Sequence, residues 1–127
     1  MKTRDIMSSL QKHWEAARAG DLEAQHEIYS EDATLDFPQS GETVTGRDNI
    51  KAMTAARPDK PTGYEFLRIL GSGNLWVSEC IVTYEGGPEY TVTVMEFRKD
   101  KVFRETCYSA PPLEAPAWRA GWVTAPE

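Results

Sequence analysis

Near the middle of the chain the hydrophobic period changes from helical to alternating, and few architectures accommodate that switch. In the first half, Ile6, Leu10, Trp14 and Ala17 recur at three- and four-residue spacing, with Gly20 as a stop. Asp21 is placed to cap a second helix with Leu22, Ile28 and Tyr29 inward; Ala24 stands at its third position, so a full capping box is absent. Residues 32–37 have strand composition and stop at Pro38. Gly46-Arg47-Asp48 leads into a third helix through Ile50 and Met53, closed by Arg57-Pro58. In the second half, residues 64–70, 75–84, 89–98 and 102–109 are strand-like runs. Gly71-Ser72-Gly73-Asn74, Glu85-Gly86-Gly87-Pro88 and Lys99-Asp100-Lys101 divide them. Three helices followed by consecutive hairpins predict an α+β fold, with helices covering one face of a curved antiparallel sheet.

Composition narrows the chemistry. At 127 residues the chain fits a single domain over positions 1–127, and 40% hydrophobic with 27% charged residues suits a globular one. Fourteen Lys and Arg against 20 Asp and Glu give a net charge of -6, which repels phosphate. Nucleic acid and membrane are therefore not expected partners. No apolar run reaches the ~18–20 residues of a membrane span, and Met-Lys-Thr-Arg-Asp lacks a signal-peptide core, so a cytoplasmic location is expected. The two cysteines and two histidines make no Cys-x-x-Cys, His-Glu-x-x-His or His-x-His pattern, so no metal is expected. A P-loop, a dinucleotide fingerprint and a Gly-x-Ser-x-Gly elbow are also missing, so no cofactor is expected. Any chemistry must come from ordinary side chains in a pocket.

Several stretches together resemble a known family. They are Ala19-Gly20-Asp21-Leu22, Tyr29-Ser30-Glu31-Asp32-Ala33-Thr34, Phe37-Pro38-Gln39-Ser40-Gly41-Glu42 and Gly46-Arg47-Asp48-Asn49-Ile50. Met95-Glu96-Phe97-Arg98, Arg104-Glu105-Thr106 and Glu114-Ala115-Pro116-Ala117-Trp118-Arg119 follow in order. The chain is similar to SnoaL-like members of the nuclear transport factor 2-like superfamily. That resemblance implies a cone-shaped α+β barrel: three N-terminal helices packed on a strongly curved antiparallel sheet that encloses a hydrophobic pocket. It also implies dimers through the convex sheet face. The superfamily holds ketosteroid isomerases, polyketide cyclases, dehydratases and epoxide hydrolases beside non-catalytic binders, so the site has to be argued by residue.

By resemblance, the isomerase base falls at Phe37, which cannot accept a proton. The two oxyanion donors fall at His13 and near Thr93. The cyclase positions on the last strand correspond to Glu105 and Cys107. A buried Glu105 beside an inward His13 would make an acid–base pair, because desolvation raises a carboxyl pKa. The plainer alternatives are a Glu105 paired with an arginine or exposed on the convex face, and a His13 satisfied by a backbone carbonyl.

Register decides between them. A two-residue Lys99-Asp100 turn sets Met95 against Arg104, whereas a three-residue loop sets Met95 against Glu105 and turns Glu105 and Cys107 inward. The resemblance favours the second. Centring the preceding hairpin on Gly86-Gly87 pairs Cys80 with Thr93, Val82 with Thr91 and Ser78 with Met95. Ser78, Cys80, Val82, Thr91, Thr93 and Met95 then share the inner face. Glu79, Ile81, Val92, Val94 and Glu96 take the other, half apolar and suited to a homodimer contact. Cys80 and Cys107 lie two strands apart, ~9–10 Å at ~4.8 Å per strand, too far for a disulfide.

Trp14, Tyr29, Phe37 and Trp76 are the expected pocket rings, with Met53 from the third helix joining them. Asp36 should point away from the pocket, Arg47 should ion-pair at the surface, and His26 among Glu23, Gln25 and Glu27 should be solvated. Trp118 and Trp122, four residues apart, predict a docked tail. The favoured function is a pocket protein for a small hydrophobic or polyketide-like molecule. The alternatives are a cofactor-free isomerase, cyclase or dehydratase using His13 and Glu105, and a dimeric interaction module without ligand.

Overall fold

In the computed structural model, which describes residues 3–124, three helices pack on the inner face of a six-stranded curved sheet. Helix α1 (Thr3–Ala19) ends where Gly20 adopts φ +74°, and Asp21 then caps α2 (Leu22–His26) by accepting from the Ala24 amide at 3.2 Å. Strand β1 (Tyr29–Phe37) folds back on the short β2 (Glu42–Thr45), and α3 (Arg47–Ala56) follows. Then come β3 (Gly63–Ser72), β4 (Leu75–Tyr84), β5 (Gly87–Arg98) and β6 (Lys101–Ala110).

The sheet order is β2-β1-β6-β5-β4-β3. Strands β3 to β6 form the expected antiparallel meander. The uniform antiparallel expectation needs one correction: β1 lies parallel to β6. Strand β2 was not legible in advance, because its four residues bury only Val44, and then only in part.

Two turns refine the expected registers. The β4–β5 turn is Glu85-Gly86, with Tyr84 opposite Gly87, so Cys80 pairs with Thr91 and Ser78 with Thr93. That is a two-residue slip from a hairpin centred on Gly86-Gly87. A strand repeats its faces every two residues, so the inner face keeps its members while every partner changes. At the β5–β6 turn, Arg98 pairs with Lys101 around a two-residue Lys99-Asp100 loop, and Lys99 has φ +59°. An irregularity beyond Phe97 then lets β6 gain one residue at Phe103, so Met95 faces Glu105 and Thr93 faces Cys107. The short turn and the inward Glu105 are both present, and the bulge reconciles them.

The core joins Ile6, Leu10, Trp14 and Ala17 of α1 to Trp76 on β4 and Met95 and Phe97 on β5. The Trp14 indole donates to Ser78 Oγ at 3.1 Å, tying α1 to the sheet. The tail is corrected: Trp118 is 76% and Trp122 84% exposed. Only a three-residue 3₁₀ turn (Ala117–Arg119) forms there, so four-residue spacing does not align the two rings on one helix face. Among the described residues, no helix is long and apolar enough to cross a membrane.

Candidate functional site

Between the helices and the inner face of the sheet lies a cavity of about 1080 Å³. That is slightly above the ~300–1,000 Å³ range of small-molecule sites. Its wall takes His13 and Trp14 from α1, Tyr29, Leu35 and Phe37 from β1, and Ile50 and Met53 from α3. Val82 and Tyr84 of β4, Thr91 and Thr93 of β5, and Glu105 and Cys107 of β6 complete the sheet side. The segment after α3, residues 57–61, contributes to the solvent side, where the Arg57 guanidinium lies 3.8 Å from the Tyr84 ring centroid.

Glu105 is the buried carboxyl of this wall, 4% exposed. Burial pushes its pKa up to about 7, although the hydroxyl of Tyr29 donates to its Oε1 and opposes the rise. Around neutral pH both its protonated and ionised forms are accessible, so it can donate or accept. The Tyr29 hydroxyl, buried against that carboxyl, is held well above its ordinary pKa of 10 and stays a donor. His13 is equally buried, and the Gln25 carbonyl accepts from its Nδ1 at 2.6 Å. That bond leaves Nε2 as the basic nitrogen. Desolvation lowers the pKa to about 4, so the ring is neutral above acid pH. Burial also raises the Cys107 thiol to about 12 and the Cys80 thiol to about 11, so neither supplies a thiolate. Both cysteines are free.

His13 and Glu105 therefore line one cavity, yet each makes its resolved hydrogen bond elsewhere. Tyr29 stands between the two roles: its hydroxyl serves Glu105, and its ring meets His13 edge-on with centroids 5.9 Å apart. Sequence spacing offers no signal for a Tyr29–Glu105 bond, because it arises from the unanticipated parallel β1–β6 pairing.

Of the expected wall, Trp14, Tyr29, Phe37, Met53, Thr93 and Cys107 line the cavity. Trp76, Ser78, Cys80 and Met95 do not, which corrects their expected role. Trp76 packs over Gly71 and donates its indole N–H to the Gly73 carbonyl, while Ser78 is engaged by Trp14. Met95 is packed into the core cluster, and Cys80 is buried without reaching the cavity. His26 is corrected in the other direction. It is 3% exposed, bonded to the Leu22 carbonyl and Thr54 Oγ1, stacked on Tyr29, and part of the cavity wall. Its polar neighbours in sequence gave no hint that a five-residue helix would be pressed against α3. Asp36 does point away, taking Thr43 and Arg104 as partners, and Arg47 pairs with Glu31 at 3.7 Å. Among the described residues, no group of three potential ligands could hold a metal ion.

Comparison with known proteins matches residues 10–105 to the SnoaL-like domain. An NTF-2 like protein of unknown function from Burkholderia xenovorans is 48% identical, with a TM-score of 0.89 over 100% of this chain and 99% of its own. A putative ketosteroid isomerase from Kribbella flavida is 20% identical, with a TM-score of 0.89 over 98% of this chain and 92% of that one. A putative isomerase from Bacillus subtilis is 19% identical, with a TM-score of 0.72 over 87% and 91%. No curated protein matches.

Proposed function

The chain belongs to the SnoaL-like domain family, and from that premise we propose that it is a small-molecule pocket protein. Its ligand is a hydrophobic, ring-bearing molecule with an oxygen directed at Tyr29 and Glu105. One observation carries this reading: a cavity of about 1080 Å³ walled by Trp14, Phe37, Ile50, Met53 and Val82, with a buried carboxyl set into it. An apolar wall supplies affinity through area, and a few fixed polar groups supply orientation.

The pKa of about 7 at Glu105 favours a second reading, a cofactor-independent isomerase, cyclase or dehydratase. In it Glu105 exchanges the proton and Tyr29 keeps one carboxylate oxygen occupied. His13, neutral through burial, serves as an acceptor rather than an acid. The names of the Kribbella and Bacillus proteins accord with this chemistry, but at 20% and 19% identity their likeness supports the fold. Phe37 stands where the resemblance puts the isomerase base, so any proton transfer here uses a different group.

One experiment separates the readings. 2-Acetylnaphthalene is titrated in deuterium oxide and followed by proton NMR, for line broadening on binding and for loss of the methyl signal beside the carbonyl. The pocket reading expects saturable broadening, weakened at least tenfold in Cys107→Phe, which fills the cavity. The enzyme reading further expects methyl exchange that Glu105→Gln abolishes. Absence of saturable binding sinks both, and binding without exchange leaves the binder alone.

A further inference from the structure

The inner wall of the cavity and its opening differ in charge. Glu105 is buried in the wall, whereas the cations that line the cavity, Arg18, Arg57 and Lys60, are exposed or half-buried at its solvent side. Three positive side chains at one opening stand out in a chain of net charge -6. Elsewhere Arg47, Lys51, Arg68 and Arg104 each meet a carboxylate. At the opening Arg57 does so, reaching Asp59 at 2.9 Å and Glu89 at 3.4 Å. Arg18 and Lys60 have no carboxylate partner among the described residues.

Neutral groups hold these two instead. The Arg18 guanidinium lies 5.0 Å from the Phe66 ring centroid and reaches the Tyr64 carbonyl at 3.5 Å. The Lys60 ammonium donates to the Ala55 carbonyl at 2.7 Å and the Thr54 carbonyl at 3.3 Å, at the end of α3. Such contacts fix the side chains without neutralising them. Between the cations and the interior the surface is aromatic: Tyr64 and Tyr84 line the cavity, and Tyr64 stacks on Phe66 with centroids 5.9 Å apart. Against the three cations stand the two carboxylates that Arg57 engages, which leaves one positive charge at the opening. A single negative charge balances it, as an ionised carboxylic acid carries, and guanidinium and ammonium both donate to a carboxylate. The same anion placed deeper would meet apolar walls and Glu105.

Resting on the pocket reading above, we propose that the cavity opening is a carboxylate site: Arg18 and Lys60 bind the acid group of an amphipathic ligand whose apolar body fills the cavity. The ligand class is an apolar carboxylic acid, held with its charge outward.

The test compares 4-(2-naphthyl)butanoic acid with its methyl ester, by isothermal titration calorimetry. The two probes share an apolar body, so their affinity ratio reads the charge. At ~10 mM salt the acid-to-ester ratio falls about two- to fivefold in Arg18→Gln and in Lys60→Gln, the range of a solvent-exposed ion pair. Arg18→Glu lowers it further, and raising salt to ~0.5 M erodes the wild-type ratio. Arg68→Gln removes a cation that pairs with Glu79 and is not part of the cavity wall, so it leaves the ratio at its wild-type value. A ratio indifferent to Arg18, or lowered as much by Arg68→Gln, overturns the proposal, and ester binding then still supports the pocket reading. No binding of either probe overturns both.

Discussion

At the scale of single residues, Glu105 and His13 are perturbed in opposite directions, and this gives the molecule a testable pH signature. Glu105 rises from 4.5 to about 7 in the folded state, so between those values the native protein holds a proton that the unfolded chain has released. Its contribution therefore falls as pH rises through that window, by about 3 kcal/mol at ~1.4 kcal/mol per pKa unit. His13 drops from 6.5 to about 4, so there the unfolded chain holds the extra proton and stability rises with pH. The two slopes oppose each other between about pH 4.5 and 6.5. Glu105→Gln keeps an acceptor for the Tyr29 hydroxyl but removes one slope. Urea unfolding should show its stability climbing relative to wild type by about 3 kcal/mol from pH 4.5 to 7. Parallel stability curves would sink the assignment. The sequence drew attention to Glu105 and His13, since a carboxyl and an imidazole on inward positions stand out in an apolar fold. It could not show that the Gln25 carbonyl and Tyr29 take their hydrogen bonds, nor that His26 is buried, because those partners come from packing between elements.

At the scale of elements, turns were legible as places and not as geometries. Gly71-Ser72-Gly73 reads as punctuation, yet Gly71 and Ser72 belong to β3 and pair with Trp76 and Leu75. The absent side chain of Gly71 is what matters: a Cβ there would lie 2.4 Å from Trp76 Cδ2 and 2.5 Å from the Leu75 carbonyl oxygen. Trp76 is 3% exposed and anchored to the Gly73 carbonyl, so it has little room to yield. Gly71→Ala should destabilise by about 2 kcal/mol or more, as overpacking does, in thermal or urea unfolding. Trimming the ring in Gly71→Ala/Trp76→Leu should cost less than the two single changes added together. Simple additivity would show that the glycine serves the backbone instead of the tryptophan. The same distinction explains the hairpins. The period of two fixed which side chains face inward on β4 and β5 despite the two-residue slip. On β6 the bulge at Phe103 reversed the parity between Val102 and Glu105, both buried, and no strict alternation predicts that.

For the whole molecule, the two faces of the sheet have different fates. The inner face is closed by the helices or opens on the cavity, while the outer face carries Val77, Ile81, Val92 and Val94 half-buried. Leu70, Leu75, Tyr90 and Tyr108 around them are 44–54% exposed. An apolar surface on that scale within a chain of net charge -6 is unusual for a face left in water. The expected helix–sheet architecture was legible because alternation over four long strands can bury one face only against helices. The same alternation put valine and isoleucine on the opposite face, where no element among the described residues packs over them. We propose that a second copy does, with the convex faces packed together. Light scattering at micromolar concentration should then give twice the 14.3 kDa chain mass. Val92→Asp with Val94→Asp, at the centre of that face, should reduce it to one chain mass, because burying unpaired like charges costs several kcal/mol. Both positions lie on the sheet face turned away from the cavity, so the variant should still bind 2-acetylnaphthalene with wild-type affinity. A wild-type chain that scatters as a monomer defeats the pairing, and a variant that loses the ligand as well as its partner shows that pocket and interface are not independent.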